Sequence, residues 1–174
     1  MEINSKYILE PLEQQIVEMT AKARHYNKID TGIQGMGQVA TDKQNNIYRD
    51  TFGFGAEFIF CKYYNLHTDF SIGNTYKIKD TDLYDATWNG ITIDVKATDK
   101  NFPLMTPEYS ISKVDGFAFF HCSYPEYTFK GFATAKQLFN PDNLRLVRVK
   151  SYVLELENLL SESEFLFLTK LNKL

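Results

Sequence analysis

The stretch Asp85-Ala86-Thr87-Trp88-Asn89-Gly90-Ile91-Thr92-Ile93-Asp94-Val95-Lys96 decides how this chain folds, because its Asn-Gly pair stands between two β-prone runs. Asn and Gly accept the positive φ angles of the primed two-residue turns, whose twist matches that of paired strands. With Asn89 and Gly90 as the loop, Trp88 is expected opposite Ile91, Thr87 opposite Thr92, Ala86 opposite Ile93, and Asp85 opposite Asp94. Opposed residues share a face with Cβ atoms ~5 Å apart. Lys96 joins them there, because strand side chains alternate with period two. The register therefore predicts that Asp85, Asp94 and Lys96 converge.

Like charges placed opposite one another destabilise a bare hairpin unless a cation bridges them or one carboxyl keeps its proton. Two aspartates suit a hard divalent ion, Mg²⁺ or Mn²⁺, which keeps waters and accepts phosphate oxygens in its remaining positions. Such a site activates water for attack on phosphorus. The plainer reading leaves both aspartates in solvent with Lys96 neutralising them. Asp-x-Lys alone carries little information, but this chain's single Asp/Glu-x-Lys match falls on a strand, just past a hairpin that supplies a facing carboxylate. A bulge that shifted the register would bring Asp82 or Asp80 into the place of Asp85.

Outward from the hairpin, residues 50–66 read as a helix, with Phe54, Phe58 and Cys61 on an apolar arc that also holds Glu57. A carboxylate on a core-facing stripe asks for a partner. Residues 9–27 read as an amphipathic helix with Pro11 in its first turn, and 29–44, with Gly32, Gly35 and Gly37, as a loop. A strand is expected around 70–79. Residues 114–122 include the run Phe117-Ala118-Phe119-Phe120 and read as a strand buried on both faces. Another strand follows at 127–133, then a short helix at 134–139, a turn at 140–143, a final alternating strand at 144–156 and a closing helix at 159–171. The class expected is α/β or α+β, helices first and then a mostly antiparallel sheet.

At 174 residues and 44% hydrophobic, the chain can bury one sizeable core, and its length favours one domain. A net charge of -3 and a pI near 5.6 lack the basic field of a protein that binds nucleic acid mainly through phosphates. They do not exclude catalysis, since an acidic metal site supplies negative charge that its cation offsets. Residues 1–9 show no signal-peptide pattern and no stretch reaches the ~18 apolar residues of a membrane helix, so a cytoplasmic protein without membrane contact is expected. Cys61 and Cys122 have no zinc-like neighbours and read as buried free thiols. His25, His67 and His121 read as ordinary histidines, and Gly53 and Gly55 as helix entry or close packing. Ser110, Ser112 and Ser123 lack the context of a serine nucleophile. Lys100, Lys113 and Lys130 follow the proposed site strand and read as solvated charges or as contacts to a DNA backbone.

These residues resemble the PD-(D/E)XK nuclease superfamily, whose core has a helix with an acidic residue, a hairpin carrying Asp, and Asp/Glu-x-Lys on the next strand. Here those are Glu57 in Gly55-Ala56-Glu57-Phe58, Asp85, and Asp94-Val95-Lys96; Tyr84 stands where the family name has Pro. The likeness covers roughly residues 52–133. It implies a restriction-endonuclease-like core, a central mixed sheet of four to five strands flanked by helices. Residues 1–174 would form one nuclease-like domain, 1–48 being an N-terminal helical extension and loop and about 50–140 the catalytic core. It also implies that Asp85, Asp94 and the Val95 carbonyl ligate Mg²⁺ or Mn²⁺, that Glu57 completes the site, and that Lys96 orients or deprotonates water or stabilises the charge on phosphorus. The substrate implied is DNA, cut by a homodimer or beside a partner protein. A different class stays open: a catalytically weak, nuclease-like binding or inhibitory protein of viral or mobile-element origin, to which the acidic pI lends weight. A metal-binding domain acting on another phosphoester is the third reading.

Overall fold

The computed structural model describes residues 1–30, 43–72 and 84–171; for residues 28–30 and 43–46 it describes the backbone. A short strand β1 (Lys6–Ile8) leads into helix α1 (Pro11–Asp30), followed by helix α2 (Lys43–Tyr63). Pro11 fits the first turn of α1 because its missing N–H has no partner there anyway, and Glu13 reaches back to accept from Glu10 N at 3.0 Å. Next come β2 (Ala86–Trp88), β3 (Ile91–Thr98), β4 (Leu104–Pro107), β5 (Gly116–Ser123) and β6 (Glu126–Thr134). Helix α3 (Ala135–Leu138) is capped by Thr134 Oγ1, which accepts from Gln137 N at 3.0 Å. Strands β7 (Leu144–Leu146) and β8 (Lys150–Leu154) and helix α4 (Glu162–Leu171) complete the described chain.

The class is α+β. A mixed five-stranded sheet runs in the order β1-β6-β5-β3-β2, with β3 and β5 parallel and the other neighbours antiparallel. A second, antiparallel sheet has the order β4-β8-β7. Alternation on β5 serves two cores at once. Ala118 and Phe120 join Ile93, Val95, Phe129 and the α2 residues Ala56, Ile59 and Phe60. Phe117 and Phe119 turn the other way, to Leu104, Leu138 and Leu154. This is the strand buried on both faces that its continuous apolar run predicts.

Two glycines set close approaches. A Cβ on Gly55 would lie 2.0 Å from the Tyr127 hydroxyl, so α2 packs on β6 only because residue 55 has no side chain. Gly131 (φ +136) takes a backbone conformation open to glycine, where the β5–β6 register shifts and leaves Lys130 unopposed.

Several expected boundaries move. Helix α1 runs on to Asp30 and α2 starts at Lys43, so both ends of the expected loop 29–44 are helical and 31–42 lie outside the described residues. Residues 70–72 form no strand, and the rest of that expected strand, 73–79, lies outside the description. Asp69 Oδ1 accepts from Ser71 N at 2.8 Å and from the Ser71 hydroxyl, a local turn that competes with strand pairing. The single strand expected over 144–156 is a hairpin, folded at the exposed residues 147–149, just where the apolar alternation changes phase between Leu146 and Val147. Strands β1 and β4, of 3 and 4 residues, are too short to show a period. Among the described residues, no helix is long and apolar enough to cross a membrane.

Candidate functional site

The Asn89-Gly90 turn has φ of 51° and 75°, and the register is Trp88↔Ile91, Thr87↔Thr92, Ala86↔Ile93, as the turn chemistry predicts. The fourth pair is different. Asp85 N donates to Ile93 O at 2.9 Å, so Asp85 and its neighbour Ala86 both face Ile93, and the ladder stops there. Asp85 and Asp94 are therefore not directly opposed, which corrects the simple register. The Asp85 carboxylate turns in and accepts from Val95 N at 2.6 Å, taking the place of the next rung. Asp80 and Asp82 lie outside the described residues.

Asp94 and Lys96 share the face of β3 that their register partners Phe117 and Phe119 occupy on β5. Lys96 Nζ is 2.7 Å from Asp94 Oδ1, and Ser112 Oγ donates to Asp94 Oδ2 at 3.3 Å. Glu57 comes from α2, on the opposite face of the sheet, where Ile93 and Val95 pack. Its Oε2 lies 3.3 Å from an Arg24 guanidinium nitrogen. Arg24, on α1, also donates to Asp69 O at 2.6 Å and to Ser71 O at 3.3 Å, and stacks 4.5 Å above the Phe54 ring. Lys62, the near-sequence partner for Glu57, instead binds Glu13 at 2.5 Å.

The carboxylates feel one another. Burial, then the negative charges of Glu57 and Asp94, push the Asp85 carboxyl up to about 8, while the Val95 N–H and the Lys96 ammonium oppose the rise. Burial also raises the Glu57 carboxyl, with Arg24 pulling it back and Asp94 adding to the rise. Glu57, Asp85, Asp94 and Lys96 thus form one electrostatic cluster around the edge of β3, short of positive charge. Among the described residues, no three His, Cys, Asp or Glu side chains converge into a ready-made metal cage.

Arg24 and Ser112 were not anticipated as members of the site. Arg24 lies 33 residues from Glu57 with no pattern joining them, and Ser112 shows only as the polar residue before Lys113. Lys113 neighbours Ser112, whereas Lys130 on β6 is two strands from β3 and binds Asn4, and Lys100 sits over the Phe102 ring. Cys61 and Cys122 are buried free thiols, each pushed up to about 11 by burial. His25 Nδ1 lies 2.9 Å from Asp50 Oδ2, tying α1 to α2; His121 sits 3.0 Å from Phe102 O, and His67 is exposed. No family model, curated protein or solved structure matches this chain.

Proposed function

We propose that this chain is a metal-dependent DNA nuclease of the PD-(D/E)XK type, with Glu57, Asp85, Asp94 and Lys96 as its working residues. One observation carries the reading: beside a lysine that pairs with Asp94, the carboxyls of Glu57 on α2 and Asp85 at the end of β2 are held above their ordinary range by burial and by the negative charge of Asp94. A fold stabilises poorly around such a cluster without a function for it or a cation to fill it. The order of helix, Asn-Gly hairpin and Asp-x-Lys strand, in a mixed sheet, supports a restriction-endonuclease-like core.

The donor set fits Mg²⁺ or Mn²⁺. These ions take one or two carboxylates, keep several waters and accept substrate oxygens, so a closed protein cage is not required. Asp85, Asp94 and the Val95 carbonyl would hold the ion, with Glu57 completing the set from α2. When bound, the ion supplies positive charge to the scissile phosphate and acidifies the attacking water. Lys96, held by Asp94, donates to that water or to the phosphate oxygens as negative charge grows there. Ser112 fixes the Asp94 carboxylate, and Arg24 holds Glu57 against the repulsion of the other two.

A second reading has its own support. Arg24 already neutralises Glu57 and Lys96 already neutralises Asp94, as in a nuclease-like protein kept for binding or inhibition. Incubation with supercoiled, linear, single-stranded and branched DNA in Mg²⁺ or Mn²⁺ separates the two. Cleavage abolished by EDTA, Asp94→Ala and Lys96→Ala is the expected result. No cleavage of any substrate, or equal cleavage by the variants, overturns the enzyme in favour of the binding protein.

A further inference from the structure

The β7–β8 hairpin has no role in the site described so far, yet it sets cations beside exposed aliphatic side chains. Residues 144–150, Leu-Arg-Leu-Val-Arg-Val-Lys, hold three cations and no carboxylate, in a protein whose net charge is -3. Leu146 is 81% exposed, Val147 51% and Val149 41%, so three aliphatic side chains stand in solvent among the cations. Arg145 pairs with Glu155 at 2.6 Å and Lys150 with Glu108 at 3.0 Å, exposed pairs that exchange readily for another anion. Arg148, at the turn, forms no ion pair among the described residues.

The hairpin also lies near the candidate site. Ser151 pairs with Pro107, and Lys150 binds Glu108, which begins a short 3-10 turn, Glu108–Ser110. Ser112, four residues on from Glu108, donates to Asp94. Four residues span at most ~14 Å, about the rise of four base pairs.

Cations alone would only blunt the edge of the small sheet, where β7 is the outermost strand. Blunting does not account for exposed Leu146, Val147 and Val149. A second copy paired edge to edge along β7 would bring two sets of these cations close together. A polyanion with apolar groove surfaces satisfies both features, since phosphates take the cations and a two-stranded ribbon with an apolar tip enters a groove. We infer that the β7–β8 hairpin is the ribbon by which this protein grips duplex DNA beside the cutting site, with Arg145, Arg148 and Lys150 on phosphates and Leu146 and Val147 in the groove. The inference rests on the nuclease reading for its substrate.

The test is fluorescence anisotropy with a labelled DNA duplex in EDTA, titrated between about 50 and 200 mM salt. Arg148→Gln with Lys150→Gln should weaken binding by roughly tenfold or more and lower the salt slope by about 2, near 0.9 per cation lost. Leu146→Ser should weaken binding several-fold with the slope unchanged. These positions are exposed, and unchanged melting of the variants excludes a folding defect. Wild type that does not bind, or variants that bind as wild type does, overturns the ribbon. So does a Leu146→Ser variant that halves the sedimenting mass without altering DNA affinity, which would mark a dimer edge. Cleavage in Mg²⁺, measured separately, keeps the two ideas apart. A protein that binds through the hairpin and cuts nothing retains the ribbon and loses the nuclease. One that cuts equally with and without the hairpin cations retains the nuclease and loses the ribbon.

Discussion

Asp85 is pulled two ways. The Val95 N–H and Lys96 favour its carboxylate, while burial, Glu57 and Asp94 disfavour it and win, placing its pKa at about 8. An unfolded aspartate titrates near ~3.9. Between these values the folded chain holds a proton that the unfolded chain has released, so stability falls as pH rises through that window. In EDTA the melting temperature should drop on going from pH 5 to pH 8, by up to ~1.4 kcal/mol per pH unit, roughly 3–5 °C. Asp85→Asn should flatten this slope. A wild-type melting temperature that stays level or rises over that range sinks the assignment of a protonated Asp85.

At the scale of elements, the contact between α2 and β6 depends on a missing side chain. Gly55→Ala would put a methyl 2.0 Å from the Tyr127 hydroxyl, whose ring is fully buried and cannot swing away. Overpacking of this kind costs about 1–3 kcal/mol, so a urea midpoint shifted down with an unchanged m-value is expected. Gly53→Ala, with nothing within 4 Å of its Cβ, should instead be neutral or stabilising. A Gly55→Ala protein as stable as wild type would show that α2 does not rest on the Tyr127 hydroxyl. The β2–β3 hairpin shows how far local chemistry reaches. Asn89 and Gly90 set three ladder pairs from the sequence, but whether Asp85 paired with Asp94 or turned to the Val95 amide could not be read from the turn.

For the whole molecule, a cation that binds the folded chain and not the unfolded one must raise its stability. At 100 times Kd that linkage is worth about 2.7 kcal/mol. Mn²⁺ should therefore raise the melting temperature of wild type by several degrees and leave Asp94→Ala unmoved. The rise should be largest at high pH, where the carboxylates are deprotonated and the cluster is most short of positive charge. Equal shifts in both proteins would mean that the cation binds elsewhere, and the enzymatic reading would lose its physical basis.

Local patterns were enough for the α+β class, the long helices, the doubly buried strand at Phe117–Phe120, the hairpin turn and the candidate set Glu57, Asp85, Asp94 and Lys96. Period, turn chemistry and strand alternation act over a few residues, so a sequence shows them directly. What the linear order could not show is which distant groups meet. Arg24 reaches Glu57 because α1 lies along α2, Ser112 reaches Asp94 because the chain passes through β4 before returning as β5, and β1 finds β6 across more than a hundred residues. The split of 144–156 into two strands was marked only by the adjacent apolar pair Leu146-Val147, with no Gly, Pro, Asn or Asp in 144–150 to signal a turn. Residue types and spacing, read from the sequence alone, supplied the chemistry of the candidate site. Its charge balance came only from the tertiary structure, because burial and long-range pairing, unlike periodicity, arise after the chain has closed on itself.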